Sequence, residues 1–162
     1  MTAGEPQPAQ VTLRPATDLD APLLLEWRND HEATRFSVTG RGVTLAEHSD
    51  WLAARLADPD TLLWIAEEGG ATVGQVRVDL GDGTGTVSIG IAPAHRGRGV
   101  GSAVLQAMLV EIERDPRARR LRALAHAENA ASLRAFERVG FRRQGRRERN
   151  FIVLERSVGA KK

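Results

Sequence analysis

The period of the apolar positions changes several times along the chain, and each change marks an element. VTLRPAT alternates and predicts a first strand. DLDAPLLLEWRND places Leu23, Leu24 and Trp27 at helical spacing with Pro22 in the first turn, so a helix is expected, followed by a loop holding Phe36, Gly40 and Gly42. Thr44 and Glu47 form a T-x-x-E capping box that opens a second helix through Trp51, Leu52 and Leu56, ending at Asp58-Pro59. TLLWIAEE, TVGQVRVDL and GTVSIGIAP read as strands joined by the short glycine turns EEGGA and GDGTG, an antiparallel meander. From Val100 the period becomes helical again, with Val104, Leu105, Met108, Leu109 and Ile112 on one face until Asp115-Pro116. LRALAHA is a strand, NAASLRAFERVG a helix stopped by Gly140, and FRRQG pairs with NFIVLERS as closing strands. The order is not strict strand-helix alternation and predicts a mixed α/β sheet with flanking helices.

A length of 162 residues with 41% hydrophobic content fits one core and one domain, expected over residues 11–157. Residues 1–10 read as a disordered N-terminal tail and 158–162 as a flexible C-terminal one. The chain has no cysteine, which excludes disulfides, cysteine metal sites and an acyl-cysteine intermediate; no metal is assigned. MTAGEPQPAQ lacks the features of a secretory leader, and no apolar run approaches the roughly 20 residues a membrane span requires. A cytoplasmic protein without a membrane partner is expected. Net charge is only +2, yet arginine crowds the second half in RARRLR and RRQGRRER, while lysine occurs only at Lys161 and Lys162. Such runs would suit phosphate contacts to nucleic acid, but no aromatic interleaving or helix-turn-helix pattern accompanies them, so no nucleic-acid partner is expected.

HRGRGVGS, His95 to Ser102, stands between a strand and a helix, where unpaired N–H groups and the helix dipole attract phosphate oxygens. A Walker A loop would need a Gly-Lys-Ser/Thr ending that is absent, and a Rossmann pattern would put its third glycine at Ser102. The third pattern, R/Q-x-x-G-x-G/A, is met by Arg96, Gly99 and Gly101, and this loop resembles the acetyl-CoA pyrophosphate loop of the GNAT superfamily of N-acetyltransferases. ENAASLRAFERVGF, with Asn129 and Gly140-Phe141, resembles the second signature of that family, although Asn129 also reads as a plain helix N-cap. The resemblance extends from Val11 to Leu154. It implies a GNAT fold, a central mostly antiparallel sheet of about six to seven strands with flanking helices, and acetyl-CoA as co-substrate.

Carried onto this chain, the resemblance implies that Arg96, Gly97, Arg98, Gly99, Val100, Gly101 and Ser102 hold the pyrophosphate and that pantetheine runs along Ile89, Gly90 and Ile91. Asn129, Ser132, Phe136 and Arg138 would stand beside the carrier, with Arg134 or Arg138 near the adenosine 3′-phosphate. Gly90, inside an otherwise β-branched strand, reads as a bulge or a close approach. Many relatives carry a tyrosine acid seven residues after the signature asparagine; here that position is Phe136 and the chain has no tyrosine. A glutamate base found in some relatives corresponds to Leu124. His126 and His48 are left as candidate catalytic groups.

The front half carries the acceptor signal. Its W-R-N and H-x-x-W pairing resembles the branch of the family that acetylates the 4-amino group of UDP-linked amino-sugars in pseudaminic acid biosynthesis. Arg28, Asn29, His48, Trp51, Gln75 and Arg77 are the candidate substrate residues. Gln75, Arg77 and Asp79 share one strand face, which suits either a wet cleft or an exposed sheet surface. Trp51 reads as a stacking platform or as core. The expected activity is acetyl transfer from acetyl-CoA to a small-molecule amine, taken as a nucleotide-sugar, by a monomer or homodimer. The alternatives are acetylation of ribosomal-protein-type N-termini or another small-molecule amine and, because of Phe136, a catalytically degenerate acetyl-CoA-binding protein.

Overall fold

The computed structural model describes residues 10–159, so residues 1–9 of the expected N-terminal tail and 160–162 of the expected C-terminal one lie outside the described residues, while Val158 is held by its amide to the Arg119 carbonyl at 3.0 Å. Strands β1 (Thr12–Pro15), β2 (Thr61–Glu68), β3 (Ala71–Gly81), β4 (Thr84–Ile91), β5 (Arg120–His126), β6 (Arg142–Glu148) and β7 (Phe151–Ser157) form one sheet in the order β1-β2-β3-β4-β5-β7-β6. Every pairing is antiparallel except β4 with β5. The helices are α1 (Ala21–Arg28), α2 (His31–Arg35), α3 (Leu45–Ala57), α4 (Val100–Ile112) and α5 (Ala130–Arg138). This is the mixed sheet with flanking helices that the hydrophobic pattern predicts.

The alternation along β2 separates two cores. Ala66 joins Val76, Val78, Val87, Leu121, Ala123 and Leu154 under α4 and α5, where Val104, Leu105, Met108 and Ile112 are fully buried. Leu63 and Ile65 face the other way, against Leu24 and Trp27 of α1 and Leu52 of α3. α3 begins where its sequence says: Thr44 accepts from the Glu47 amide at 3.1 Å and Glu47 from the Thr44 amide at 3.1 Å.

Two details differ from the expectations, and a third goes beyond them. The segment after α1 is not only loop, since Asp30 caps a short helix, α2, by accepting from the Ala33 amide at 3.2 Å. Gly90 carries no bulge: β3 and β4 run in unbroken register from Gly74↔Ile91 to Gly81↔Thr84, and the meander's irregularity lies between Ala66 and Glu67 instead. Close approach is the reason for glycine here: a Cβ on Gly90 would stand 3.0 Å from the Gln75 amide nitrogen, and one on its neighbour Gly74 would stand 2.5 Å from the Gly90 carbonyl oxygen. Finally, β7 is inserted between β5 and β6, which makes the arginine-rich β6 an exposed edge. Its charges, and a register shift between Arg143 and Arg147, suit an edge that does not recruit another strand.

The feature that positions the site is a parting of strands. β4 and β5 pair only from Thr84↔Arg120 to Val87↔Ala123. Beyond that, Ser88–Ile91 and Leu124–His126 continue without pairing to each other, leaving a wedge in the middle of the sheet.

Candidate active site

The glycine turn closes the wide end of the wedge. Gly97 and Gly99 adopt φ of +79° and +76°, a region that costs a residue with a side chain roughly 1–2 kcal/mol. Gly99 is the N-cap of α4 and brings no side chain to its open amides. Val100, Gly101 and Ser102 therefore start a 13-residue helix with N–H groups that no intrahelical bond can use. Gly101 has a different role, since a Cβ there would touch Ala135 at 3.5 Å and Ile91 at 3.8 Å, inside the protein.

Arg96 belongs to this turn but its side chain is committed elsewhere. Its Nε donates to the Ile91 carbonyl at 3.0 Å, and Nη1 lies 2.8 Å from Asp30 and 3.0 Å from Glu32. It ties the turn to α2 and so to the front half of the chain. Arg98 meets His95 Nδ1 at 2.7 Å and Glu68 at 3.7 Å.

On the β5 side, Asn129 caps α5 by accepting from the Ser132 amide at 3.1 Å. Arg134 and Arg138 lie exposed on that helix. Phe136 does not line the wedge: it is 2% exposed and meets Phe141 edge-on, with ring centroids 5.0 Å apart. The apolar stripe of α5 turns it into the core beside Leu133, so it offers nothing to a cofactor or to a leaving group.

His126 ends β5 at the open wedge, between Phe36 of the front segment (5.2 Å) and Phe151 of β7 (5.4 Å, edge-on). Its Nδ1 accepts from the Glu128 amide at 3.1 Å. An accepting Nδ1 leaves the ring proton on Nε2, so the ring presents a donor and its lone pair is already used. Arg35 reaches across from α2 to Glu128 at 3.2 Å and lies over Phe36 at 4.8 Å.

The acceptor candidates occupy the sheet face under α3. Register places Asp79, Arg77 and Gln75 on one face of β3, opposite Thr86, Ser88 and Gly90 of β4. Arg55 of α3 stands 3.8 Å from Asp79, and one turn earlier Trp51 stacks under the Arg77 guanidinium at 5.1 Å. Trp51 is 37% exposed, which favours the platform over the core reading. Arg77 also donates to Asp79 at 2.8 Å and to Ser88 at 3.3 Å. Gln75 lies over Gly90, with its amide nitrogen 3.0 Å from where a Cβ would be.

Asn29 differs from the expectation. Its amide donates to the Val43 carbonyl and accepts from the Val43 N–H, both at 2.8 Å, so it clasps the loop with both of its polar atoms engaged. Arg28 holds the same loop through the Arg41 carbonyl at 3.2 Å, while its Nη1 is buried with no partner. His48 is 5% exposed and stacked on Trp51 at 5.6 Å, and its Nε2 likewise has no partner. Burial, and then the Arg28 charge, push the His48 pKa below that of an ordinary histidine.

The residues that sequence reasoning missed are those of the α2 bridge other than Arg35: Asp30, Glu32 and Phe36. An aspartate cap with an acid in the first turn and a base in the last was readable in DHEATR. The contacts to Arg96 and Glu128 were not, because they join segments far apart in the chain. Among the described residues, no group of three or more His, Cys, Asp or Glu is placed to hold a metal ion. No helix there is long and apolar enough to cross a membrane.

The chain matches the family model described as Acetyltransferase (GNAT) domain over residues 10–142. It is similar to aminoglycoside N(6′)-acetyltransferases type 1 of Klebsiella pneumoniae and Serratia marcescens, each 28% identical, with 83% of this chain and 75% of theirs covered. Among solved structures, the aminoglycoside acetyltransferase AAC(6′)-Ib with ribostamycin and coenzyme A superposes with a TM-score of 0.80 at 22% identity, covering 91% of this chain and 93% of that one. Spermidine N-acetyltransferase from Vibrio cholerae with CoA and spermine gives 0.78 at 16% identity, covering 90% and 93%. At these identities the two superpositions speak for the fold.

Proposed function

The chain belongs to the GNAT acetyltransferase family, an acetyl-CoA-dependent class of N-acetyltransferases acting on amines, and from that premise we propose that it acetylates the primary amine of an amino-sugar directly. The observation that carries the reading is the wedge between β4 and β5 opening onto the uncapped, glycine-built start of α4. Val100, Gly101 and Ser102 would hold the diphosphate of acetyl-CoA through their amides, and the unpaired strand edges of Ser88–Ile91 and Leu124–His126 would receive its amide-rich arm. Acetyl-CoA supplies an activated acetyl thioester.

Everything else falls to the chain's own residues. No cysteine is present to take up the acetyl group, so the amine attacks the thioester carbonyl, the carbon–sulfur bond breaks, and the amine proton leaves to solvent. Holding the two partners in line can supply roughly 7–11 kcal/mol, more than the 10²–10⁴-fold of a general acid or base. The departing sulfur needs a proton or a hydrogen bond, and the missing tyrosine cannot give it. His126 Nε2–H, fixed as a donor by the Glu128 amide, is the group we assign to hydrogen-bonding the departing sulfur, which takes its proton from solvent. A proton relay from the acceptor amine through His126 would require the lone pair that the Glu128 amide occupies.

For the acceptor, the aminoglycoside relatives support an amine on a sugar ring. The UDP-linked 4-amino-sugar remains a reading of the front-half pattern alone, and the relatives lend the nucleotide no support. A thiol-release assay with acetyl-CoA tests the proposal against an aminoglycoside, a UDP-4-amino-sugar, spermidine and an N-terminal peptide. Release with an amino-sugar is expected. Saturable acetyl-CoA binding without release on any amine would make the protein a carrier-binding paralogue, and release on the peptide alone would move the acceptor to protein N-termini.

A further inference from the structure

Three polar atoms beside the acceptor face are buried without a hydrogen-bond partner, Arg28 Nη1, His48 Nε2 and Arg55 Nε; the Arg55 guanidinium has Asp79 as its counter-charge, which leaves Arg28 and His48. They belong together. The Arg28 charge acts on the His48 ring, and Arg41 in turn acts on Arg28. Among the described residues, no carboxylate makes an ion pair with Arg28, whose side chain reaches only the Thr39 hydroxyl at 3.5 Å and the Arg41 carbonyl. The nearest acid in sequence to His48, Glu47, is occupied by the Thr44 cap. A partly buried guanidinium facing another arginine, with an orphaned nitrogen, costs the empty protein stability and is explained by a group that arrives later.

The neighbourhood points to the charge of that group. Carboxylates on this face and on the α2 bridge already have arginines: Asp79 with Arg77 and Arg55, Glu128 with Arg35, Asp30 and Glu32 with Arg96, Glu148 with Arg122. A polycationic acceptor would find these acids matched, whereas an anion would find Arg28 without a counter-charge. Position agrees. Arg55 meets Asp79 and Trp51 meets Arg77, so α3 and β3 run alongside each other, and continuing the two rises by one step carries His48 towards the level of Gln75, which lies over Gly90 at the wedge.

We propose that Arg28 and His48 form a subsite for an anionic substituent of the acceptor, a phosphate or a carboxylate, so that the preferred amine also carries negative charge. This rests on the acetyltransferase reading for its place in catalysis, but the subsite itself is testable by binding alone. The charged guanidinium donates through Nη1, and His48 donates through Nε2–H from a ring held by Trp51.

Two arms separate the subsite from the enzyme reading. In the first, calorimetric titration with inorganic phosphate should give saturable binding that Arg28→Met weakens about tenfold or more. His48→Phe, which keeps a ring against Trp51, should weaken it as well and serves if the first variant fails to fold. In the second, glucosamine, glucosamine 6-phosphate and muramic acid are compared as acceptors. Wild type should prefer an anionic one by about tenfold or more in kcat/KM, and Arg28→Met should reduce that preference to within about threefold; the phosphate ester and the carboxylate identify the anion. Absence of phosphate binding to wild type, or turnover of glucosamine with no anionic preference, overturns the subsite and leaves the transferase standing. Phosphate binding lost in Arg28→Met with no turnover of any amine supports the subsite while sinking the transferase reading. A fall in thermal stability with all three acceptors slowed equally would make Arg28 a loop tie and overturn the proposal.

Discussion

Replacing Gly99 and, separately, Gly101 by alanine divides backbone geometry from ligand contact. Gly99 lies at φ +76° and ψ 9°, and a Cβ there would meet no atom within 4 Å. Its substitution therefore strains only the backbone, by about 1–2 kcal/mol. At roughly 2–4 °C per kcal/mol for a chain of this length, Tm should fall by about 2–8 °C. The new methyl projects into the open space before α4, where a diphosphate would approach the amides of Val100 to Ser102. Loss of one hydrogen bond to a charged group, about 1.5–3 kcal/mol, corresponds to roughly 10–100-fold in Kd. Gly101 predicts the reverse. Its Cβ would make ordinary contacts with Ala135 and Ile91 inside the protein, and alanine over glycine in a helix gains up to about 1 kcal/mol. Thermal unfolding and calorimetric titration with acetyl-CoA measure both quantities on both variants. Gly99→Ala is expected to lose stability and affinity, and Gly101→Ala to gain or hold stability with affinity intact. Affinity within threefold of wild type in Gly99→Ala, or equal losses in the two variants, would refute the assignment of the turn to the diphosphate.

Asn29→Ala removes both 2.8 Å bonds to Val43 and should cost about 1–3 kcal/mol in denaturant unfolding; unchanged stability with a raised acceptor KM would return Asn29 to the substrate site. The Arg14 guanidinium holds the buried Asp20 carboxyl below the usual carboxylate range, so the pair stabilises the fold fully above about pH 4 and loses that contribution as pH falls further. Asp20→Asn should lower Tm at pH 7 and flatten the acid limb, and an acid limb identical to wild type would contradict the linkage. His126→Phe keeps a ring between Phe36 and Phe151 but lacks Nε2–H. We expect kcat to fall by roughly 10–100-fold with acetyl-CoA affinity unchanged, and a normal kcat would remove His126 from the chemistry.

What could be read from the sequence was what the backbone decides. The capping box at Thr44 and Glu47, the meander with its glycine turns and the apolar stripe of α4 are local patterns, and local patterns survive into the structure because each is satisfied by neighbours in the chain. The turn at Gly97–Gly99 was legible for the same reason: left-handed φ is a demand that glycine meets and most other residues resist. Gly90 could be read only as a bulge or a close approach, because what decides between them is the β3 strand and the Gln75 side chain, neither of which a strand pattern announces. Phe136 was misplaced because its position in a motif says nothing about which way the α5 stripe turns it.

The acceptor side was legible only as a list of residue types, and the reason is electrostatic. An arginine in a sequence is a charge of unknown credit: Arg77 is matched by Asp79 two residues away, Arg96 by acids more than sixty residues upstream, and Arg35 by a glutamate ninety-three residues downstream. Only after those pairs are assigned does Arg28 stand out as a partly buried cation without an ion-pair partner among the described residues. The same subtraction separates this face from one built for a polyamine, which would need carboxylates left free. On the proposed subsite, acceptor choice follows the residual charge after internal pairing, a quantity that membership of the acetyltransferase family does not carry.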